Sequence, residues 1–223
     1  MIPLRDNVPS QSIPFVTYAL IALNVAAFWY ELQLGGALER FLGTFGLVPL
    51  RFQAARDPFA RFVPVYTSMF LHGGWLHLLS NMLFLHIFGD NVEDRLGHLR
   101  FLFFYLGCGT IAALVQVNML PQSALPMVGA SGAIAGVTGA YFVFFPRARV
   151  LTLVPVFVFW EVVQVPAVLF LLLWFVMQVF YGMSALAGAQ NGGVAWWAHI
   201  GGFGGGAAGA WLLAPRRARA GGD

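Results

Sequence analysis

One serine and one histidine lie in apolar runs of the sequence, where a histidine is rare. Ser131 lies in a Val-Gly-Ala-Ser-Gly-Ala stretch near the start of an apolar run at about 127–145, and His199 lies near the start of another at about 194–213. Each run approaches the roughly 20 residues that cross a bilayer as a helix. An intramembrane histidine is costly and therefore indicates function. Since an imidazole that takes a serine proton makes the hydroxyl nucleophilic, the pair predicts acyl transfer.

A second polar group lies in the apolar stretch at about 69–89. His77 and Asn81 are four residues apart and so share one helix face. Acyl transfer passes through a tetrahedral oxyanion that needs hydrogen-bond donors already aimed at it. We expect His77, the Asn81 amide and the backbone N–H of Ser131 to supply them. His72 and Gly129 are candidates for binding water or substrate, although His72 is equally suited to stabilising the loop before this stretch.

The composition indicates a membrane protein. Of 223 residues, 59% are hydrophobic and 9% are charged, and the mean hydropathy is +0.76, whereas an ordinary soluble domain has about 25% charged residues. The net charge of +3 comes from scattered arginines without any lysine, which does not indicate nucleic-acid binding. The single cysteine, Cys108, lies in an apolar run and is predicted to be a packed side chain.

Six apolar runs predict an all-α, polytopic membrane protein. The first run lacks a cleavage pattern and is predicted to be a retained span. The protein is predicted to lie in the inner (plasma) membrane, and arginines near the span ends predict that both termini are cytoplasmic. The predicted organisation is an N-terminal cytoplasmic segment at 1–14, one membrane domain at 15–213 and a C-terminal cytoplasmic tail at 214–223. The arginine- and aromatic-containing link between the first two spans is predicted to lie in the membrane interface. The predicted spans are 15–34, 69–89, 99–120, 127–145, 165–186 and 194–213.

The predicted topology places the candidate site residues at the same depth in the membrane. Spans two, four and six run in the same direction, and each carries its polar residues near its start. Small residues repeated every four positions let two helix backbones approach closely, so we expect spans four and six to touch along two such stripes. The stripes are Gly132, Gly136 and Ala140 in span four, and Gly201, Gly205 and Gly209 in span six.

These motifs together resemble the rhomboid intramembrane serine proteases. The resemblance rests on Gly-Ala-Ser-Gly around Ser131, Ala-His-Ile-Gly-Gly around His199, and the pair His77 and Asn81 with His72 upstream, and it extends over all six spans. It implies a six-helix bundle that cleaves transmembrane segments of other membrane proteins. In that interpretation Ser131 is the nucleophile, His199 the general base, and His77 and Asn81 the oxyanion stabilisers, with no metal or organic cofactor.

Other features of the family pattern are partly present. An acidic residue followed four positions later by glycine has a counterpart in Glu93 and Gly97, and the resemblance implies that span five and the loop at 188–193 control lateral access. Two features are missing: a Trp-Arg pair in the first long loop, and an aromatic residue four positions after the serine, where Ala135 stands. Because no intramembrane carboxylate is evident to orient the histidine, we expect a Ser–His dyad.

Other functions fit the sequence less well. A zinc protease needs His-Glu-x-x-His, which the sequence lacks, and an aspartyl intramembrane protease needs two facing carboxylates, whereas Asp90 stands alone at a span end. Two classes stay open: a non-catalytic rhomboid-like protein that binds membrane clients, and a transporter whose histidines line a polar path. The partners predicted in the favoured interpretation are the lipid bilayer and transmembrane substrates, and the residues specify neither a natural substrate nor an oligomeric state.

Overall fold

The computed structural model describes residues 1–156, 159–186 and 194–213, and most of them are helical. The predicted tail at 214–223 and the predicted access loop at 188–193 lie outside the described residues. In chain order the elements are β1 (Ile2–Asp6), α1 (Phe15–Gln33), α2 (Leu38–Phe45), α3 (Pro49–Ala54), α4 (Pro58–Thr67), α5 (Trp75–Leu96), α6 (His98–Met119), α7 (Ser131–Phe144), β2 (Arg149–Val156), β3 (Phe159–Pro166), α8 (Ala167–Leu186) and α9 (Trp196–Leu213).

The long helices follow the predicted spans closely. By length and composition, three described helices suffice to cross a membrane, at Phe15–Gln33, His98–Met119 and Ala167–Ser184, and α7 is a shorter apolar helix. The predicted second span was displaced, because α5 begins six residues later than expected and continues to Leu96. The end of that span was predicted too early from hydropathy, because the charged residues after Gly89 remain helical. The number of membrane crossings stays a prediction.

The charged end of α5 is anchored in the bundle by Glu93. Glu93 is fully buried and accepts hydrogen bonds from the backbone N–H groups of Val16 and Thr17, at 2.9 and 2.7 Å. Those groups lie in the first turn of α1, where backbone donors lack partners within the helix and negative charge is favoured. His98 Nδ1 lies 2.5 Å from the same carboxylate. Glu93 therefore fixes the start of α1 against the end of α5.

The core of the bundle is a close contact between α7 and α9. A Cβ built on Gly202 would overlap the carbonyl oxygen of Gly132, and one built on Gly206 would overlap that of Gly136. The predicted contact between spans four and six is therefore confirmed. Gly132 and Gly136 of the predicted stripe on span four lie in this contact, although a Cβ on either would first meet Ala112 or Cys108 of α6. The predicted stripe on span six was wrong, because those glycines face α6 instead. Gly201, Gly205 and Gly209 lie against Val115, Ile111 and Phe104.

The all-α prediction missed a three-stranded antiparallel sheet in the order β1-β2-β3. β1 lies in the predicted N-terminal segment, and the β2–β3 hairpin connects α7 to α8. Both hairpin strands are rich in valine, which favours extended structure, but the connection was judged by hydropathy and arginine content alone. Asp6 at the end of β1 accepts hydrogen bonds from Tyr141 and Asn91, which join the sheet to α7 and α5. Since β2 follows the end of α7, the sheet lies at the opposite end of the bundle from Ser131.

The link between α1 and α5 packs on the bundle through its own small apolar cluster. Leu47, Phe52 and Val65 are buried, and they pack with side chains of α6. Leu47 also exchanges two backbone hydrogen bonds with Met127, at 3.0 and 2.8 Å. This link therefore holds the chain that leads into Ser131. Whether the link also lies in the membrane interface stays a prediction.

Candidate active site

Ser131 and His199 meet because α7 and α9 start side by side. Ser131 is the first residue of α7, and His199 lies in the first turn of α9. The glycine contacts below them bring the two backbones together, so that His199 Nε2 lies 2.8 Å from Ser131 Oγ. That is a normal hydrogen-bond distance. His199 is buried, with 9% of its surface exposed, whereas Ser131 is half-buried and faces a cavity.

The other ring nitrogen of His199 also has a partner, which sequence reasoning missed. Gln178 on α8 is buried, and its Oε1 lies 2.7 Å from His199 Nδ1. The Gln178 Nε2 group donates to the Trp174 carbonyl oxygen at 3.2 Å. The expectation of a Ser–His dyad rested on the lack of an intramembrane carboxylate, whereas this partner is an amide. The available signal was a single amide in the apolar run of α8, since polar side chains in such runs usually bond to a neighbouring helix.

Aromatic rings and a second glutamine complete the surroundings of His199. The Trp174 ring lies 5.8 Å from the imidazole, centroid to centroid, and the Trp196 ring lies 6.2 Å away, edge to face. Gln116 on α6 accepts a hydrogen bond from the backbone N–H of Ala198 at 3.1 Å, which ties the start of α9 to α6. Although residue 135 is alanine, rings from α8 and α9 therefore lie beside the His199 imidazole.

His77 and Asn81 face the cavity from the first turns of α5. Asn81 is 6% exposed, and its Nδ2 lies 3.0 Å from His72 Nε2. His72 is itself buried behind Asn81, and its backbone N–H donates to the Glu31 carboxylate at 3.1 and 3.3 Å. His72 is not among the residues that line the cavity. This placement favours a role in holding Asn81 over contact with substrate.

Gly129 lies directly against the imidazole of His77. Its φ is +124°, and a Cβ at this position would lie 2.6 Å from His77 Nε2. Its backbone N–H donates to the carbonyl oxygen of Ser68 at 2.8 Å. A glycine is required here both by its backbone conformation and by the approach of the histidine. Gly129 therefore sets the position of His77 relative to Ser131.

The four predicted catalytic side chains share one cavity of about 700 Å³. Ser131, His199, His77 and Asn81 all line it, with walls from α5, α7, α8 and α9. Its rim on α5 is apolar and open, since Trp75 and Leu76 are 58% and 82% exposed. The remaining wall residues are Gly73, Gly74, Ser80, Phe84, Val128, Ile134, Ala135, Thr138, Trp174, Val194 and Ala195.

The remaining histidines lie away from this cavity. His86 is exposed and stacks on Tyr18 at 6.3 Å, and His98 pairs with Glu93 at the other end of α5. Across the part of the chain that the structure describes, no group of three or more His, Cys, Asp or Glu side chains is placed to hold a metal ion. Around the Ser131 hydroxyl the fold gathers the imidazoles of His199 and His77 and the amide of Asn81, which are groups suited to acyl transfer.

Comparison with known proteins identifies the family. A family model described as Rhomboid domain matches residues 60–216, which is more than half of the 223 residues. The chain therefore belongs to the rhomboid family of intramembrane proteases, and it is an integral membrane protein. The match covers all the residues that line the cavity.

Several curated proteins share part of this sequence. Rhomboid-like protein 11, chloroplastic, of Arabidopsis thaliana is 46% identical over 70 residues, or 31% of this chain. Rhomboid protein 1, mitochondrial, of Saccharomyces cerevisiae is 31% identical over 144 residues, or 62% of this chain. Rhomboid protease GluP of Bacillus subtilis is 34% identical over 128 residues, or 57% of this chain. The matched regions span 25%, 39% and 24% of these relatives' own lengths.

Proposed function

We propose that this protein is an intramembrane serine endopeptidase that cleaves transmembrane segments of other membrane proteins with a Ser131–His199 dyad. The observation that carries the proposal is the 2.8 Å approach of His199 Nε2 to Ser131 Oγ, inside a cavity that His77 and Asn81 also line. Nucleophile, base and oxyanion donors within reach of one reacting carbonyl are the parts that acyl transfer requires. Membership of the rhomboid family supports the same activity.

The proposed reaction begins when His199 Nε2 takes the proton of the Ser131 hydroxyl as its oxygen attacks the scissile carbonyl carbon. The carbonyl oxygen becomes an oxyanion, which Asn81, His77 and the backbone N–H of Ser131 stabilise. Because Ser131 begins α7, this N–H lacks a partner within the helix, and the helix dipole favours negative charge there. The imidazolium then protonates the leaving amine. Water, deprotonated by the same imidazole, hydrolyses the acyl-enzyme and restores the serine.

The proposed topology places this chemistry just below the outer membrane surface. Six helices cross the membrane, and both termini are cytoplasmic, as the arginine distribution indicates. Substrate reaches Ser131 laterally, through the apolar rim on α5 and past α8, which is the predicted fifth span and also lines the cavity. A hydrophobic segment needs no solvation on that path. Small residues flank the serine, namely Gly129, Ala130 and Gly132, and we expect a substrate with a small side chain before the scissile bond.

Covalent labelling tests the proposal. The detergent-purified protein is treated with a fluorophosphonate, the adduct is located by mass spectrometry, and cleavage of a generic transmembrane substrate is measured in parallel. We expect an adduct on Ser131 and none in Ser131→Ala or His199→Ala, with cleavage lost in both. The matched control is Ser184→Ala, which removes a hydroxyl from α8 that bonds to the Phe180 carbonyl oxygen and should label like wild type. Folded wild-type protein that neither labels nor cleaves would indicate a non-catalytic rhomboid-like protein instead.

A further inference from the structure

We infer that Gln178 is a positioning residue for the catalytic base: its side-chain oxygen accepts the Nδ1–H of His199 and so leaves the Nε2 lone pair facing Ser131. This inference rests on the proposed function and deepens it, because it supplies the orienting group that a Ser–His dyad lacks. It begins with two distances, 2.7 Å from Gln178 Oε1 to His199 Nδ1 and 2.8 Å from His199 Nε2 to Ser131 Oγ.

The direction of the Gln178 amide follows from its second contact. The Trp174 carbonyl oxygen can only accept a hydrogen bond, so the group 3.2 Å from it is the Gln178 NH₂. The oxygen of the same amide must then point at His199. An oxygen cannot donate, and therefore Nδ1 of a neutral His199 carries the proton. The other nitrogen is consequently the acceptor, which is the state that a general base for Ser131 needs.

Among the described residues, Gln178 provides the polar side chain that bonds to Nδ1 of His199. The Trp174 and Trp196 rings cover other sides of the imidazole, and an indole ring face offers no strong acceptor. Without the amide, a neutral imidazole would have no hydrogen bond favouring the Nδ1–H form over the Nε2–H form. In the Nε2–H form, that nitrogen donates to Ser131 and cannot take its proton. Because Gln178 lies on α8, the dyad geometry also depends on how α8 sits against α9.

Two substitutions of Gln178 give opposite expectations. Gln178→Ala removes the acceptor, and we expect both the rate of Ser131 labelling and kcat to fall about 10- to 100-fold, a part of what general-base catalysis contributes. Gln178→Glu retains an acceptor and adds a negative charge that favours imidazolium. Its rate at high pH should stay within a few fold of wild type, while the acidic limb of its pH–rate profile moves up by about 1–3 pH units. The matched control is Met177→Ala on the exposed side of α8, which should match wild type in both measurements.

Nitrogen NMR of histidine-labelled wild-type protein gives an independent readout that needs no Gln178 variant. We expect the His199 signals, assigned by their loss in His199→Ala, to show a protonated Nδ1 and an unprotonated Nε2 at neutral pH. A predominant Nε2–H form in active wild-type protein would overturn the inference even if Gln178→Ala failed to fold. Unchanged rates in Gln178→Ala with an unshifted profile in Gln178→Glu would overturn it as well. In both cases the wild type still labels and cleaves, whereas failure of the proposed function would appear as an inactive wild type.

Discussion

Adding one methyl group at Gly206 should separate the two helices that carry Ser131 and His199. An alanine Cβ there would overlap the carbonyl oxygen of Gly136 and would lie 2.5 Å from its carbonyl carbon and from its Cα. Carbon atoms in contact prefer about 3.5–4.0 Å, so α9 must move away from α7 by roughly 1 Å. The neighbouring atoms are backbone, which cannot rotate aside as a flexible side chain can. The strain therefore falls on the helix contact itself.

The expected cost of Gly206→Ala is about 2 kcal/mol, within the range of about 1–3 kcal/mol for overpacking a tight core. For a chain of this size that corresponds to a fall in melting temperature of about 4–8 °C, measured by thermal unfolding in detergent. Gly204→Ala is the matched control, since it adds the same methyl group to the same helix where a Cβ would meet nothing within 4 Å. Equal melting temperatures for the two variants would refute the backbone contact between α7 and α9.

Two further predictions concern the two ends of the bundle. His77→Ala and Asn81→Ala should each lower kcat about 10²- to 10³-fold without abolishing Ser131 labelling, which is the usual effect of losing one oxyanion donor. His86→Ala is the control. Full activity in both His77→Ala and Asn81→Ala would show that these residues do not belong to the site. At the sheet, burial raises the pKa of the Asp6 carboxyl, although the hydrogen bond from Tyr141 opposes this. Its stabilising contribution is therefore complete below the usual carboxyl pKa and is lost as pH rises through the raised value. Asp6→Asn should accordingly gain melting temperature relative to wild type between pH 4 and pH 7, and a constant difference across that range would contradict the reasoning.

The helices and the cluster of site residues could be predicted because each depends on local sequence. Apolar runs of membrane-spanning length stand out from polar connections, and they located five of the six long helices to within a few residues. A histidine in such a run is rare enough to be noticed, and the shared direction of spans two, four and six gave the polar residues one depth. The structure places Ser131, His199, His77 and Asn81 around one cavity.

The features that escaped prediction depend on which face of an element meets which neighbour. Gly201 and Gly202 are adjacent in sequence, yet one faces α6 and the other α7, because successive residues on a helix point about 100° apart. Both faces of α9 carry small residues repeated every four positions, and the repeat alone does not indicate which face contacts α7. The sheet and Gln178 were missed for a related reason. The partners of β1 and of Gln178 are distant in sequence, so hydropathy carries no trace of their pairing. The β2–β3 hairpin pairs locally, but hydropathy alone does not distinguish its apolar strands from other apolar segments.

The polar groups around the proposed dyad share a physical property that explains why an amide stands where many serine hydrolases use a carboxylate. Within the described ranges the side chains that line the cavity carry hydroxyl, imidazole, amide or indole groups but no carboxylate. A buried charge needs several good partners to offset its desolvation. Glu93 meets that need with two backbone donors at a helix start and the His98 ring, whereas the apolar run of α8 offers its residue at position 178 a single imidazole and a backbone carbonyl. An amide satisfies both of those groups, one with its oxygen and the other with its NH₂, and it holds His199 in place without an isolated charge.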